Sequence, residues 1–317
     1  MGSDQQLIER RQINSVAIIG AGALGIMYGK LINDALGNDR VWFIADDQRV
    51  ALQRRHGVFA NDERCDFTFA TSADIHTRVD LMIFTVKAMA LEAALQEAAP
   101  LVGPDTVVIS LLNGITSERI IGERVGHDKV LYAVCQGMDA TRTDNRVCYV
   151  HTGFITLGER DDSDSERLRA VERLLDRCAI AHDRRPPVLR HLWSKFMLNV
   201  GVNQTCAVLR GGYGRIHTDP HARDLMRQAM LEVIAVAAPE GITLNSADID
   251  AWFGIIDGLS PEGMTSMEQD VAASRPTEVE LFAGTVRRLG AKHHIPTPTN
   301  DYLYEQLTQA DQADRSG

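Results

Sequence analysis

The amino-acid sequence predicts an α/β protein, in which an N-terminal doubly wound parallel sheet is followed by an all-α C-terminal domain. In the first half of the chain, short β-branched apolar runs alternate with helix-like segments, which is typical of βαβ units. After Pro186–Pro187 long helical periodicity replaces this alternation. With 317 residues, the chain is long enough for two domains, which we expect at 13–186 and 187–310.

The strands of the first domain are predicted where apolar runs are short and end in turn residues. They are Ser15–Gly20, Arg40–Ala45, Asp80–Val86, Thr106–Leu112 and Lys129–Val134. Helices are expected between them over Ala23–Ala35 and Met89–Ala99. Arg146–His151 and Phe154–Glu159 are expected to form a hairpin around Thr152–Gly153, appended to the main sheet.

The second domain is expected to be helical throughout. One helix should begin where Asp219 can cap the first turn and Pro220 fits it, and should end near Gly241. Another should begin at Pro276 and run towards Gly290. Almost no strand-like alternation is found in this half of the sequence.

Composition narrows the class of partners. The formal net charge is −10 and the isoelectric point is near 5.5, whereas nucleic-acid binders concentrate Lys and Arg on one face. The five cysteines form no CxxC pair and no zinc-like spacing, which favours reduced thiols and no metal. No signal-like or membrane-spanning run is found. We therefore expect a cytoplasmic protein with a small-molecule partner, without nucleic acid or membrane, and compatible with a homodimer.

A glycine-rich turn follows the first predicted strand and precedes a helix. It has the spacing GxGxxG over six consecutive residues: Gly20, Ala21, Gly22, Ala23, Leu24 and Gly25. In such a turn the first glycine makes the bend, the second allows a pyrophosphate to approach, and the third lets the helix pack on the strand. The setting predicts a Rossmann-type dinucleotide site. The alternative is a glycine-rich turn that binds nothing.

The end of the second predicted strand bears on the choice between NAD and NADP. An acidic residue about 20 positions after the glycines commonly accepts hydrogen bonds from the ribose hydroxyls and favours NAD. Asp46 and Asp47 stand there, although they are also typical of solvated turn carboxylates. Arg49, Arg54 and Arg55 follow closely, and guanidinium groups suit a 2′-phosphate. The sequence therefore leaves NAD(H) and NADP(H) both open.

Two further strands end in polar residues. Lys87 follows Leu81–Val86, and Asn113 follows Val107–Leu112. Ligands of open α/β sheets bind at the carboxyl ends of strands, so both side chains are candidates for the site. The alternatives are an exposed lysine at a helix entry, and an asparagine that only makes a turn with Gly114.

A polar stripe crosses an otherwise apolar helical segment, 189–209. Lys195, Asn199 and Asn203 recur every four residues, which places them on one face. Helices that are apolar all round are buried, and each buried polar group left unpaired costs about 1–3 kcal/mol. A polar ligand would supply partners. The alternative is an internal hydrogen-bond network or a solvent-facing stripe.

Taken together, these motifs resemble the ketopantoate reductase family over essentially the whole chain. The matching segments are the GAGALG turn, Val86–Ala88, Leu112–Gly114, Leu192–Lys195 with Asn199 and Asn203, Thr265–Asp270 and Arg275–Glu280. The resemblance implies a Rossmann domain, a helical substrate domain and an active site in the cleft between them. It implies NADP(H) as cofactor, with NAD(H) open because of Asp46, and a place in pantothenate biosynthesis.

The resemblance also implies roles for individual residues. Lys195 matches the catalytic acid, which protonates the ketone oxygen as hydride arrives. Glu278 matches a catalytic position that also contacts cofactor, and Lys87 matches a cofactor contact. The residues that match substrate-binding positions are Asn113, Asn199, Asn203 and Ser266, of which Asn113 also lies beside the nicotinamide.

The sequence departs from the family at two places. Asp46 stands where NADP-dependent members carry an arginine, and Tyr213 stands where some members carry a substrate-side asparagine. We therefore expect NAD(P)H-dependent reduction of 2-dehydropantoate to (R)-pantoate, with a dehydrogenase of another branched 2-oxo or 2-hydroxy acid as the alternative. A sensor that binds dinucleotides without catalysis is disfavoured because Lys195, Asn199, Ser266 and Glu278 are all present.

Overall fold

The computed structural model describes residues 11–316, with side chains described as far as residue 312. The chain divides into two compact units. The first comprises residues 11–112 and 116–188, and the second comprises residues 113–115 and 189–316. The first unit combines strands with helices, whereas the described residues of the second are helical.

The first unit contains twelve strands and five α-helices among the described residues. The strands are β1 (Val16–Ile19), β2 (Val41–Ile44), β3 (Val58–Ala60), β4 (Glu63–Cys65), β5 (Thr68–Ala70), β6 (Leu81–Phe84), β7 (Val107–Ser110), β8 (Val130–Met138), β9 (Thr141–Thr143), β10 (Arg146–Cys148), β11 (Thr152–Gly158) and β12 (His182–Asp183). The helices are α1 (Ala23–Leu36), α2 (Asp47–His56), α3 (Leu91–Ala98), α4 (Ser117–Val125) and α5 (Glu166–Arg177).

Eight of these strands form the main sheet, in the order β12-β11-β8-β7-β6-β1-β2-β5. The strands from β8 to β5 are parallel, β11 is antiparallel to β8, and β12 is parallel to β11. The chain builds outwards from β1 in one direction through β2 and then in the other through β6. The predicted doubly wound sheet is thereby confirmed, and its switch point lies between β1 and β6.

The main sheet is covered on both faces. On β1 the side chains of Val16 and Ile18 belong to one buried cluster, while those of Ala17 and Ile19 belong to a second. Successive side chains of a strand point to opposite faces, so both faces of β1 carry a hydrophobic core. This burial explains why the first strand reads as a continuous apolar run.

The predicted hairpin of Arg146–His151 with Phe154–Glu159 is wrong. β10 instead pairs with β9 and β3 in a second sheet of order β4-β3-β10-β9, while β11 pairs with β8. The turn lies earlier, at Asp144, whose φ is 54°. The amides of Val150 and His151 donate to the side chain of Asp139 at 2.9 and 2.8 Å, so the strand does not continue there.

The second unit confirms the expected all-α architecture, since its described residues contain helices and no strands. These are α6 (Val188–Leu198, whose first residue belongs to the first unit), a π-helical turn (Asn199–Asn203), α7 (Gln204–Leu209), α8 (Gly212–Thr218), α9 (Pro220–Ala237), α10 (Ser246–Asp257), α11 (Ser266–Ala272), α12 (Ala283–His293) and α13 (Pro298–Ser316). None of the described helices is both long enough and apolar enough to cross a membrane.

One of the two predicted helices of the second unit begins where expected. The side chain of Asp219 accepts a hydrogen bond from the amide of His221 at 2.9 Å, and Pro220 is the first residue of α9. A short 3₁₀ turn extends α9 to Glu240, and Gly241 follows in the left-handed conformation. A cap, a proline and a glycine therefore set both ends.

The helix expected from Pro276 begins only at Ala283. In the intervening segment the amide and hydroxyl of Thr277 donate to the carboxylate of Asp311, and the amide of Leu281 bonds back to the carbonyl of Glu278 at 2.9 Å. The amide of Ala283 then donates to the side chain of Gln204 at 3.0 Å. Hydrogen bonds to residues distant in sequence therefore hold the segment before α12 in turns. The bond from Ala283 to Gln204 lies at the first residue of the helix.

Candidate functional site

The glycine turn joins β1 to α1 as the sequence predicts. Gly20 has a φ of +115°, which L side chains rarely adopt, and a Cβ there would lie 2.9 Å from backbone atoms of Thr85 and Val86. At Gly25 a Cβ would lie 2.1 Å from the carbonyl oxygen of Gly20 and 2.5 Å from Oγ1 of Thr85. Both glycines are therefore required by the packing of the turn on itself and on the residues that follow β6.

The middle glycine differs from the other two. A Cβ on Gly22 would meet only the carbonyl oxygen of Thr85, at 3.7 Å, and its φ of −75° suits any residue. Nothing in the fold requires glycine there, whereas a pyrophosphate that approaches the backbone would. Gly22 caps the fourteen-residue α1, whose first turn carries no acidic side chain. The open space and the helix N-terminus together fit an anionic group.

Asp46 lies two residues beyond the end of β2, close to where the sequence predicts it, but it has a structural role there. Its Oδ1 accepts a hydrogen bond from the amide of Arg49 at 2.8 Å and caps α2. Its Oδ2 lies 3.4 Å from Nε of Arg49. A carboxylate has further acceptor capacity, so this cap leaves room for a ribose hydroxyl.

The three arginines considered for a 2′-phosphate are differently engaged. Arg54 donates 2.8 Å to the backbone carbonyl of Phe69, at the strand β5. The side chain of Arg49 is 69% exposed and lies beside Asp46. Arg55 is exposed on α2. Of the three, Arg49 is the one whose guanidinium lies beside Asp46.

Lys87 and Asn113 follow the carboxyl ends of neighbouring strands, β6 and β7. Lys87 is exposed and precedes a short 3₁₀ turn, Ala88–Ala90. Asn113 lies in a turn with Gly114, whose φ is +90°. A serine pair anchors the residues just before this turn: Oγ of Ser110 accepts from the amide of Leu112 at 3.3 Å and donates to Oγ of Ser117 at 2.8 Å.

The polar stripe of the second unit is buried, as its apolar surroundings predict. The exposed fractions of Lys195, Asn199 and Asn203 are 8%, 7% and 7%. Nδ2 of Asn199 donates to Oδ1 of Asn113 at 3.3 Å, which brings together two of the predicted site residues. This bond is part of an internal hydrogen-bond network, which was the alternative to a polar ligand as the partner of the stripe.

The stripe is not carried by one regular helix, because a π-turn covers Asn199–Asn203. In an α-helix a four-residue step overshoots a full turn by about 40°. A π-turn is wider, so the same step falls short of a full turn. The step from Lys195 to Asn199 rotates the side chain past a full turn, and the step from Asn199 to Asn203 rotates it back. The π-turn keeps Asn203 on the face that carries Lys195.

A buried network that sequence reasoning missed supports the π-turn. Nε2 of Gln204 donates to the carbonyl of Val200 at 2.7 Å and to Oδ1 of Asn300 at 3.3 Å. Nδ2 of Asn300 donates in turn to Oε2 of Glu232 at 2.7 Å. Gln204 and Asn300 are both fully buried. The signal was a third amide, at Gln204, directly after the stripe in the same apolar segment.

The remaining predicted residues lie on two segments of the second unit. Ser266 is the exposed first residue of α11, and Glu278 is half-buried in the turn segment before α12. The side chain of Leu281, in the same segment, contacts Gly114, where a Cβ would lie 2.6 Å from Cδ1 of Leu281. The segment of Glu278 therefore packs against the turn of Asn113.

Sequence reasoning also missed a buried carboxylate, Glu268. Its Oε1 accepts from the amides of Gly211 and Gly212 at 2.8 and 2.9 Å, just before Tyr213. Burial, followed by the charge of Glu268, raises the pKa of the Cys206 thiol to about 12. Burial also raises the pKa of Tyr213, with smaller contributions from Cys206 and Glu268. Glu268 thus fixes the turn that carries Tyr213.

Comparison with known proteins gives matches along nearly the whole chain. The family model described as ketopantoate reductase PanE/ApbA matches residues 16–162, and the model of its C-terminal part matches residues 188–311. The 2-dehydropantoate 2-reductase of Vibrio cholerae is 27% identical over 305 residues, which cover 94% of this chain and 98% of that protein.

Two solved structures extend the comparison. D-mandelate dehydrogenase in complex with NADH is 26% identical, with a TM-score of 0.84 and coverage of 94% of this chain and 99% of that one. The 2-dehydropantoate 2-reductase of Geobacter metallireducens is also 26% identical, with a TM-score of 0.81 and coverage of 93% and 99%. Proteins of the same architecture therefore differ in the acid after which they are named.

Proposed function

Because this chain belongs to the ketopantoate reductase family, whose members are NAD(P)-dependent oxidoreductases, we propose that it reduces 2-dehydropantoate to (R)-pantoate with NAD(P)H. The observation that carries the proposal is the buried side chain of Lys195 in α6, followed by two buried asparagines in the π-turn, one of which meets Asn113. A positive charge and uncharged amides in one buried region suit a small 2-oxo acid.

In the proposed reaction, bound NAD(P)H supplies a hydride to the ketone carbon. The ketone oxygen gains negative charge as the hydride arrives, and the ammonium of Lys195 stabilises that charge and transfers a proton to it. Asn199, Asn203 and Asn113 provide amide donors and acceptors for the carboxylate and hydroxyl of the substrate. Ser266 adds a hydroxyl. Glu278 and Lys87 act as contacts to the cofactor, with Glu278 also near the reacting centre.

The glycine turn is proposed to bind the pyrophosphate of the cofactor, since Gly22 leaves space that the fold itself does not need. Asp46 is proposed to accept a hydrogen bond from a ribose hydroxyl, which would favour NADH, while the family as a whole suggests NADPH. Replacing Asp46 with Asn keeps the cap of α2 but removes the charge. If Asp46 meets the ribose, Asp46→Asn should shift the ratio of kcat/KM values towards NADPH.

The decisive experiment follows oxidation of NADPH and of NADH at 340 nm with 2-dehydropantoate as substrate. Lys195→Ala should lower kcat by about 10²–10⁴, the usual contribution of a general acid. Lys292→Ala, which removes an exposed lysine of the same unit, is the control and should match the wild type. No substrate-dependent oxidation by the wild type, or equal rates for Lys195→Ala, would contradict the proposal.

A second candidate is a dehydrogenase of another 2-oxo or 2-hydroxy acid. It is favoured by Tyr213 and by the likeness to D-mandelate dehydrogenase. The same assay with phenylglyoxylate, the 2-oxo acid that corresponds to mandelate, separates the two. The true substrate should exceed the other greatly in kcat/KM, because a fitted pocket leaves no buried polar group unpaired.

A further inference from the structure

An arginine from outside the β1–α1 connection lies against the glycine turn. Arg142, on β9, donates a hydrogen bond from Nη1 to the carbonyl oxygen of Ala21. Its Nε donates to the backbone carbonyl of Asp144 at 2.7 Å, at the turn between β9 and β10. These two bonds hold the guanidinium beside the turn, close to where α1 begins.

Arg142 forms no ion pair within the described part of the chain. Its hydrogen bonds go to backbone carbonyls, and among residues 11–312 no carboxylate lies within ion-pair distance of it. The side chain is half-buried, and burial lowers the pKa of the guanidinium from its usual value, an effect that Asp144 partly offsets. A cation partly removed from water with no carboxylate within ion-pair distance is unfavourable, so this position favours an anion.

Arg146, the other arginine of the β9–β10 hairpin, differs from Arg142 in having a carboxylate partner. Arg146, on β10, is exposed, pairs with Asp62 at 2.7 Å and lies over the ring of Phe59 at 4.8 Å. Its charge is balanced on the surface. Of the two, only Arg142 combines partial burial, contact with the glycine turn and the lack of a carboxylate partner in the described region.

We propose that Arg142 supplies the positive charge that binds the diphosphate of a dinucleotide at the glycine turn, an inference that rests on the proposed function. The turn and the start of α1 offer backbone N–H groups but no charged side chain. The guanidinium keeps both N–H groups of Nη2 for phosphate oxygens, which arginine binds in a planar, paired geometry. The bond to Ala21 fixes the group before the ligand arrives.

The test measures binding by the intact chain, with ADP-ribose by calorimetry and with NADH and NADPH by fluorescence. Arg142→Gln should raise each Kd by at least about tenfold, in line with the loss of a charge-assisted hydrogen bond. It should also flatten the rise of Kd with NaCl concentration, because a screened charge is gone. Arg142→Lys should recover part of the loss, and Arg146→Gln should bind as the wild type does.

Three outcomes would overturn the inference. Wild-type affinity in Arg142→Gln would exclude a phosphate contact while leaving the proposed function intact. Equal losses in Arg142→Gln and Arg142→Lys with an unchanged salt dependence would mean that the arginine only shapes the turn through Ala21. No binding of either dinucleotide by the wild type would overturn both proposals. Equal unfolding midpoints for all variants establish that the differences arise in binding.

Discussion

Adding a methyl group to two glycines of the same turn should affect two different properties. At Gly25 it should lower the stability of the fold, and at Gly22 it should lower the affinity for the dinucleotide. At Gly25 an added Cβ would lie 2.1 Å from the carbonyl oxygen of Gly20, and at Gly22 it would find its nearest neighbour at 3.7 Å. The first contact is far inside the sum of atomic radii and involves backbone that cannot rotate away. The second is ordinary van der Waals contact. Gly25→Ala and Gly22→Ala therefore separate folding from binding.

Gly25→Ala should lower the free energy of unfolding by about 3 kcal/mol or more, at the upper end of the range for overpacking. Gly22→Ala should change it by less than about 1 kcal/mol, because a small loss at the helix cap is offset by lower entropy of the unfolded chain. Its Kd for NADH or NADPH should nevertheless rise by at least about tenfold, since the methyl group enters the space proposed for the pyrophosphate.

The assay combines urea unfolding, followed by circular dichroism, with dinucleotide titration of the three proteins at one ionic strength. Unchanged dinucleotide affinity in Gly22→Ala would refute the argument that its open side belongs to a ligand. A Gly25→Ala variant as stable as the wild type would refute the packing argument. Loss of both properties in both variants would show that the turn tolerates no side chain for reasons of folding alone.

Two further predictions concern the second unit. Gln204→Leu should lower the free energy of unfolding by about 2–6 kcal/mol, because it leaves the buried Val200 carbonyl and Ala283 amide unpaired. Urea unfolding of this variant, compared with that of Gln204→Glu, tests the prediction. Hydrogen bonds from Lys292 and His293 hold the pKa of Glu240 below its usual value of 4.5. The Glu240 carboxylate therefore stabilises the fold above pH 4.5, and this stabilisation is lost as the pH falls through the lowered pKa. The difference in stability between wild type and Glu240→Gln should accordingly shrink between pH 7 and pH 3, and a constant difference would contradict it.

The central strands of the first unit were predictable because they are buried on both faces and read as continuous apolar runs. The short strands β3, β4, β5, β9 and β12 were not predicted. Each has only two or three residues, which is too short for a periodicity to show. The false hairpin has a different cause. The side chain of Asp139 accepts hydrogen bonds from the amides of Val150 and His151, and β10 ends before these residues. No local sequence pattern encodes this contact.

Within the candidate site, the burial of Lys195, Asn199 and Asn203 is confirmed, while their chemical roles stay predictions. The stripe was visible because polar residues stand out in an apolar helix. The π-turn was not, because the spacing of four fits a regular helix nearly as well. Arg142 was missed for a similar reason, since it reaches the glycine turn across 121 positions of sequence.

The π-turn at Asn199–Asn203 has a consequence for insertions and deletions. A π-turn is equivalent to one extra residue in an α-helix, so losing one residue here would restore regular winding and leave the helix that follows in nearly its present orientation. Gly201, within the turn, faces α9 so closely that a Cβ would lie 2.6 Å from Met230. A one-residue gap in this helix, in a comparison with another chain, would therefore mark loss of the π-turn and a different direction of the side chains within it, while the helices that follow keep their places.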